Sequence, residues 1–234
     1  MTAPLKVLSA GAVEYIVTGL AKTFTKDSGI PVGFTFNTIA GVRKRLESGE
    51  TGDIVIGTSP AIQQMEKAGV AVAGSRVELG RTLTGICVRQ GTPIPDISTL
   101  EAFKATLLAC RAFAYTNPTV GGTSGIYLTE LMRRLGILEE MQRKAVLCIN
   151  GEDIVRKVVS GEADLGSTFI SEFGLVDGIA SAGALPAAFG NVTSYAAALL
   201  ASGTNRDAAR SFIGMITATP QRASWIAGGF EPAS

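Results

Sequence analysis

The sequence predicts an α/β protein of two lobes, each a mostly parallel β-sheet flanked by helices. Apolar runs of strand length alternate with amphipathic segments of helix length, and this alternation occurs in two series along the chain. Strands that alternate with helices favour a parallel sheet with right-handed crossovers. With 234 residues, 46% of them hydrophobic, the chain is long enough to build two cores.

The first series starts close to the N-terminus. Its helices carry apolar residues at i, i+3, i+4 and i+7, the spacing of one buried helical face. Glycines follow both helices, as expected at helix ends. The pattern predicts strands over 6–9, 31–36 and 53–57 and helices over 13–24 and 39–46.

The second series follows an apolar strand and contains a Gly-rich loop. The pattern predicts strands over 82–88, 110–115, 146–149 and 164–167, and helices over 126–135 and 152–159. A last strand over 193–200 and a helix from 205 to 217 are expected to return to the first lobe, because two chain crossings make a hinge. The predicted lobes are residues 1–81 plus 196–234 and residues 82–195, with the ligand cleft between them.

Composition excludes several classes of function. The formal charge is +1, so bulk electrostatics favours no nucleic-acid partner. No apolar run approaches the ~20 residues that cross a bilayer, so no membrane insertion is expected. Histidine is absent, which rules out Ser-His and Cys-His nucleophilic pairs within this chain. No metal site and no cofactor are predicted, and a monomer is expected.

The cysteines and the N-terminus indicate the compartment. Cys87, Cys110 and Cys148 show no CxxC spacing and are expected to be small buried hydrophobic residues. The first residues run directly into a strand pattern, without the features of a signal peptide. The chain as written is therefore expected in the cytoplasm, or in the periplasm if an upstream signal peptide has been removed.

A ligand site is predicted at the carboxyl ends of the strands, where α/β sheets bind ligands. The chain there is rich in Gly, Ser and Thr, over 9–12, 37–41 and 57–60. Helices begin at these points, so their first N–H groups are available to an anion. The loop 117–125 is similar, and its Thr123 and Ser124 can cap the next helix or donate hydroxyls. This loop matches neither GxxxxGK[ST] nor GxGxxG, which disfavours a nucleotide.

Several segments together resemble the molybdate-binding proteins of ABC transporters. The resemblance implies a type 2 periplasmic-binding-protein fold and a small anion as ligand. It extends over 7–24, 46–49, 52–56, 117–118, 124–127, 152–154, 161–166, 220–223 and 229–230. In that family the oxyanion is held by two Ser residues, backbone amides and a Tyr hydroxyl. The corresponding positions here are Ala12, Ile39 or Ala40, Ile154 and Phe169.

These replacements remove hydroxyl donors, and each hydrogen bond to a charged acceptor is worth roughly 1.5–3 kcal/mol. Poor molybdate binding is therefore expected, and the predicted ligand is a small organic anion with carboxylates. Arg81, at the lobe boundary, is predicted to contact the same anion as Ser124, because a buried carboxylate needs a positive partner. The predicted binding residues are Gly11, Ala12, Thr38, Ala40, Arg81, Thr123, Ser124, Ile154 and Phe169.

Two functions fit this site. The first is a binding module whose lobes close over the anion, with a membrane permease as partner if the chain is exported. The second is a cytoplasmic isomerase of an unsaturated di- or tricarboxylate, as in aconitate isomerase, which resembles this branch of the fold. Without histidine, the catalytic base of an isomerase would come from Glu14, Glu152, Asp153, Tyr115 or a cysteine.

Overall fold

The computed structural model describes residues 3–233. They form two compact units. Unit 1 runs to Arg81 and resumes at Thr193, and unit 2 comprises Thr82–Val192. The sequence predicts lobe boundaries at 81/82 and 195/196. Both units combine a mixed β-sheet with helices, which confirms the predicted α/β class.

Unit 1 is built around three parallel strands. Strand β1 lies between the other two, and Val7 pairs with Phe34 on one side and Ile54 on the other. This part of the chain forms β1 (Leu5–Ala10), a 3-10 turn (Gly11–Val13), α1 (Glu14–Ser28), β2 (Val32–Asn37), α2 (Ile39–Glu47), β3 (Ile54–Thr58) and α3 (Ser59–Lys67). Because the strands are parallel, their carboxyl ends meet at one edge, where α1, α2 and α3 begin.

Unit 2 contains a second parallel group. Strand β4 (Val77–Arg89) enters the unit and is followed by α4 (Leu100–Ala109), β5 (Phe113–Thr116), α5 (Thr123–Arg134), α6 (Leu138–Arg143), β6 (Ala145–Cys148), α7 (Gly151–Ser160), β7 (Leu165–Phe169) and β8 (Ile179–Ala184). β5 is parallel to both β6 and β7. β4 is antiparallel to β7 and β8. The carboxyl ends of the parallel group are therefore at Thr116, Cys148 and Phe169.

The chain then returns to unit 1 through β9 (Val192–Leu199), α8 (Arg206–Thr217), α9 (Arg222–Ala227) and β10 (Glu231–Pro232). β9 runs antiparallel beside β3. β10 pairs with the first part of β4 at Gly80 and Arg81. The strand and helix predicted over 193–200 and 205–217 are thus confirmed to within one residue at each end of these elements.

Each sheet is covered by apolar side chains. In unit 1, Leu8, Val55 and Ile62 belong to one buried cluster. In unit 2, a cluster around Phe103, Phe113 and Leu128 packs with α4 and α5. A separate cluster around Cys148, Ile154 and Val158 packs with α7. The sheet of unit 2 therefore has helices on both faces, as the strand–helix alternation predicted.

All three cysteines are free and buried, which confirms the prediction from their spacing. Burial raises the pKa of the Cys87 and Cys148 thiols to about 12 and that of Cys110 to about 11. None of these thiols is then ionised near neutral pH, so none serves there as a nucleophile or a base.

None of the described helices has the length and apolarity that crossing a membrane requires. Within residues 3–233, no three or more His, Cys, Asp or Glu side chains are grouped so that they could hold a metal ion.

Candidate functional site

The loop between β5 and α5 brings the start of α5 onto the end of a strand. Asn117 fixes the loop, because its N–H donates to Cys148 O at 2.8 Å and its Oδ1 accepts from Thr119 N at 3.0 Å. A Cβ on Gly125 would lie 2.0 Å from Thr116 O. Only glycine permits so close an approach of helix and strand. The Gly-rich sequence therefore serves to place the first turn of α5 at the carboxyl edge of the sheet.

The first turn of α5 is prepared for a hydrogen-bond acceptor. No side chain caps the helix, although Thr123 and Ser124 occupy its first two positions. Ser124 is 3% exposed. Its hydroxyl forms no hydrogen bond with any residue from 3 to 233. The hydroxyl of this buried residue is therefore free to donate, and it lies where free N–H groups and the helix dipole favour negative charge.

The start of α7 differs because protein groups already occupy it. Asn150 Oδ1 accepts from Asp153 N at 2.9 Å, and Asp153 Oδ2 accepts from Ile149 N at 3.1 Å. The Ile154 N–H donates to Asn150 O at 3.3 Å, and its side chain is fully buried in the core. A ligand that used the Ile154 amide, as the family resemblance implies, would compete with this bond.

A buried carboxylate that the sequence pattern did not indicate also lies at this edge. Glu172 is 6% exposed, and its Oε2 accepts from the Thr168 hydroxyl and from Phe169 N. Its carboxyl carbon would be only 2.2 Å from a Cβ on Gly151, the first residue of α7. The only sequence signal for Glu172 is its position as an acidic residue three places after the end of β7. Glu172 joins the end of β7 to the start of α7, which is a structural role.

In unit 1, the predicted binding residues offer backbone groups rather than hydroxyls. Gly11 lies in the turn before α1, and Ala12 is 4% exposed. Thr38 Oγ1 accepts from Gly41 N at 3.1 Å and so caps α2. Ala40, in the first turn of α2, is exposed. Of these side chains, only Thr38 has a polar group, and that group already serves the helix.

Phe169 and Arg81 have other neighbours. Phe169 is 4% exposed at the end of β7, opposite Thr84 of β4, and its ring has no hydrogen-bonding group. Arg81 is exposed and forms an ion pair with Glu231 of β10, with Nε and Oε2 2.5 Å apart. An anion that used Arg81 would share the guanidinium with this carboxylate, which uses only its Nε. The joint contact of Arg81 and Ser124 with one ligand stays a prediction.

The predicted base candidates are not equivalent. Glu152 Oε1 lies 2.6 Å from Arg156 Nη2, and Asp153 accepts from the Ile149 amide. Tyr115 is 2% exposed, and burial raises its pKa. Glu14 is the first residue of α1 and is only partly buried, beside the turn that holds Gly11 and Ala12. Glu14 is therefore the carboxylate best placed for a ligand at the edge of unit 1.

Comparison with known proteins agrees with the fold. The profile of the family described as bacterial extracellular solute-binding protein matches residues 5–231. Aconitate isomerase of Pseudomonas sp. is 30% identical over 215 residues, which cover 89% of this chain and 80% of the relative. The molybdate-binding protein ModA of Mycobacterium tuberculosis (strain ATCC 25618 / H37Rv) is 23% identical over 231 residues, which cover 96% of this chain and 83% of ModA.

Two solved structures show the same architecture. The periplasmic molybdate-binding protein of Azotobacter vinelandii has a TM-score of 0.81 at 19% identity, and the match covers 98% of this chain and 100% of that one. The sulfate-binding protein SubI of Mycobacterium tuberculosis H37Rv has a TM-score of 0.80 at 15% identity, and the match covers 100% of this chain and 88% of SubI. These matches confirm the predicted resemblance and the two-lobed periplasmic-binding-protein fold. From the order of its strands and helices and from the family match along nearly its whole length, this chain belongs to the bacterial extracellular solute-binding protein family.

Proposed function

We propose that the chain binds a small organic anion that carries carboxylates, with one carboxylate at the N-terminus of α5. The observation that supports this proposal is Ser124, a buried residue in the first turn of α5 whose hydroxyl has no hydrogen-bond partner among residues 3–233. A carboxylate there would accept from that hydroxyl and from the first-turn amides of α5, in the favourable field of the helix dipole. In unit 2, α7 is capped by Asn150, so α5 is the better anchor.

The same residues disfavour a tetrahedral oxyanion as the ligand. Molybdate would bring a compact double charge into a site where Ala12 and Phe169 supply no hydroxyl. Each missing hydrogen bond to a charged acceptor costs roughly 1.5–3 kcal/mol. A carboxylate ligand spreads its charge over separate groups, so fewer donors are needed at any one point.

The first prediction concerns Ser124. Calorimetric titration with trans-aconitate, cis-aconitate, citrate and molybdate should show binding of at least one tricarboxylate and molybdate affinity weaker than about 1 μM. Ser124→Ala should weaken the tricarboxylate about tenfold or more, because it removes a donor to a charged group. Ser160→Ala is the matched control, since Ser160 is exposed at the far end of α7. Equal affinity of the parent and Ser124→Ala would contradict the proposal.

The same titration tests Arg81. If Arg81 contacts the ligand, Arg81→Ala weakens binding, and Glu231→Gln strengthens it by releasing the guanidinium from its present partner. If the Arg81–Glu231 pair only joins β4 to β10, neither substitution changes the affinity. In that case the site at Ser124 would act without a cationic partner.

A second function is supported by the 30% identity to an aconitate isomerase. Isomerisation of a tricarboxylate by an allylic shift requires a base that removes a methylene proton and returns it to the far carbon of the double bond. We infer that Glu14 is this base, because it is only partly buried and lies next to the turn that holds Gly11 and Ala12.

The second prediction tests this reaction. Proton NMR of trans-aconitate in D₂O should show conversion to the cis isomer with incorporation of deuterium. Glu14→Gln should abolish turnover and leave tricarboxylate binding within about threefold of the parent, less than a lost charged hydrogen bond would cost. Glu152→Gln should retain turnover, because Glu152 is paired with Arg156. Binding without conversion would leave the binding function alone.

A further inference from the structure

A cavity lies in unit 2, away from the edge that holds Ser124. Its volume is about 400 Å³, within the range of small-molecule sites. Arg111 and Asp164 line it; Arg111 lies two residues before β5, and Asp164 directly precedes β7. It therefore lies at the amino ends of these strands, whereas Thr116 and Phe169 mark their carboxyl ends. None of the residues discussed for the first site contributes to it.

Two guanidinium groups converge at this cavity on one backbone position. Arg111 Nη2 donates to Gly161 O at 2.9 Å. Arg89 Nη1 would lie 3.6 Å from a Cβ on Gly161, so it is close to the same residue. The backbone of Arg89 is fixed, because its Cα pairs with Ile179 of β8 and its carbonyl accepts from Thr92 N at 3.1 Å. The fold thus places two arginines at the same cavity.

Among the charged residues that line the cavity, the two arginines outnumber one acid, Asp164, so the lining keeps a net positive charge. Asp164 uses both oxygens, accepting from Ala112 N at 2.7 Å and Arg111 N at 2.9 Å. Glu162 Oε2 lies 2.6 Å from Lys157 Nζ, and Glu162 Oε1 accepts from the Ser160 hydroxyl. In the part of the chain that the structure describes, neither Arg89 nor Arg111 forms an ion pair. The C-terminus of α7 offers both arginines partial negative charge, which is weaker than a carboxylate.

The rest of the cavity is apolar. Its wall includes Val88, Pro93, Pro95, Val158 and Leu165. Val88, Val158 and Leu165 are at most 4% exposed and belong to the core, so this wall is rigid. An apolar body would contact it and lose its hydration. A planar guanidinium fork is suited to a carboxylate, which can accept two parallel hydrogen bonds.

We propose that this cavity is a second binding site, for a compact apolar molecule that ends in a carboxylate. The carboxylate lies against Arg89 and Arg111, and the apolar body contacts Val88, Val158 and Leu165. The site is independent of the proposed function, because it uses the opposite edge of the sheet and other residues.

The test is ¹⁹F NMR titration of the full chain with 4-fluorobenzoate. Saturable binding with a Kd of roughly 1 mM is expected, because both arginines are exposed and water screens their charges. The neutral analogue 4-fluorobenzamide should bind about tenfold more weakly, since it cannot form the charged hydrogen bonds. Equal binding of the amide, or no saturation by about 10 mM benzoate, would overturn the proposal.

Variants show whether the probe is in this cavity. Arg89→Gln should weaken the benzoate about tenfold. Ala109→Trp should block it, because Ala109 is an exposed cavity residue at the end of α4, where a larger side chain leaves the core intact. Arg156→Gln is the matched control, an exposed arginine of unit 2 that is paired with Glu152. If Arg89→Gln and Ala109→Trp bind the probe as tightly as the parent does, the proposal is wrong. The arginines would then only interact with the partial negative charge at the C-terminus of α7.

Discussion

Gly125→Ala is expected to destabilise the protein by about 3 kcal/mol, at the upper end of the usual overpacking range. The new Cβ would lie 2.0 Å from the backbone oxygen of Thr116. Backbone cannot move aside as a flexible side chain does, so α5 must shift away from β5. Chemical denaturation followed by circular dichroism measures the loss of unfolding free energy. The shift also displaces Ser124, so ligand affinity should fall with stability.

Gly214→Ala is the matched control for this substitution. Gly214 is also a helical glycine, in α8, but a Cβ added there would have no atom within 4 Å beyond its own helix backbone and chain neighbours. Alanine there should stabilise the protein by about 0.5–1 kcal/mol, because alanine has the higher helix propensity. The two substitutions should thus have opposite signs. A loss below about 1 kcal/mol in Gly125→Ala would show that α5 can shift easily.

Asp53→Asn is expected to destabilise unit 1 by about 3 kcal/mol at neutral pH, as breaking a buried charged network does. Asp53 is 5% exposed. Its Oδ2 accepts from Lys6 N at 2.9 Å, and its Oδ1 accepts from Thr204 N at 3.1 Å and Asn205 N at 3.0 Å. An amide in place of the carboxylate replaces one acceptor oxygen by an NH₂ group, which would face at least one of these backbone N–H donors and could not accept from it. This carboxylate therefore joins the returning segment of the chain to β1.

The pH dependence follows from the pKa of Asp53. Burial raises this pKa, but the three backbone hydrogen bonds together lower it further, so the net shift is downward. A lowered folded pKa means that the stabilisation is fully present above the unfolded pKa of about 3.9 and is lost as the pH falls through the folded value. The stability difference between the parent and Asp53→Asn should then be constant from pH 7 to about pH 5 and decrease below about pH 4.

Asp207→Asn is the control for Asp53→Asn, because the Asp207 side chain is fully exposed and its Oδ1 lies 3.6 Å from Arg210 Nη1. It should change the unfolding free energy by less than about 0.5 kcal/mol at any of these pH values. A difference between the parent and Asp53→Asn that persists unchanged at pH 3 would contradict the role of the ionised carboxylate.

The candidate site was predictable only in part. The Gly-rich loop before α5 indicated Thr123 and Ser124, because glycines before a helix allow backbone amides to approach a ligand. Nothing local distinguishes Ser124 from Thr123, since neither hydroxyl caps the helix, and only the deeper burial of Ser124 does so. Likewise, Glu172 resembled any acid in a first helical turn until its carboxylate proved to pack against Gly151.

The sequence by itself determined the α/β class, the strand–helix alternation of both series and the burial of all three cysteines, but it did not indicate α3, α4, α6 or β8. These features depend on local periodicity and on composition, because a strand alternates faces every second residue and a helix about every 3.6 residues. Only the tertiary structure decided which distant groups meet: Arg81 with Glu231, Asp53 with Thr204 and Asn205, and Arg111 with Gly161. These contacts depend on register and on where the chain returns, which are set by the packing of the whole sheet rather than by any single segment.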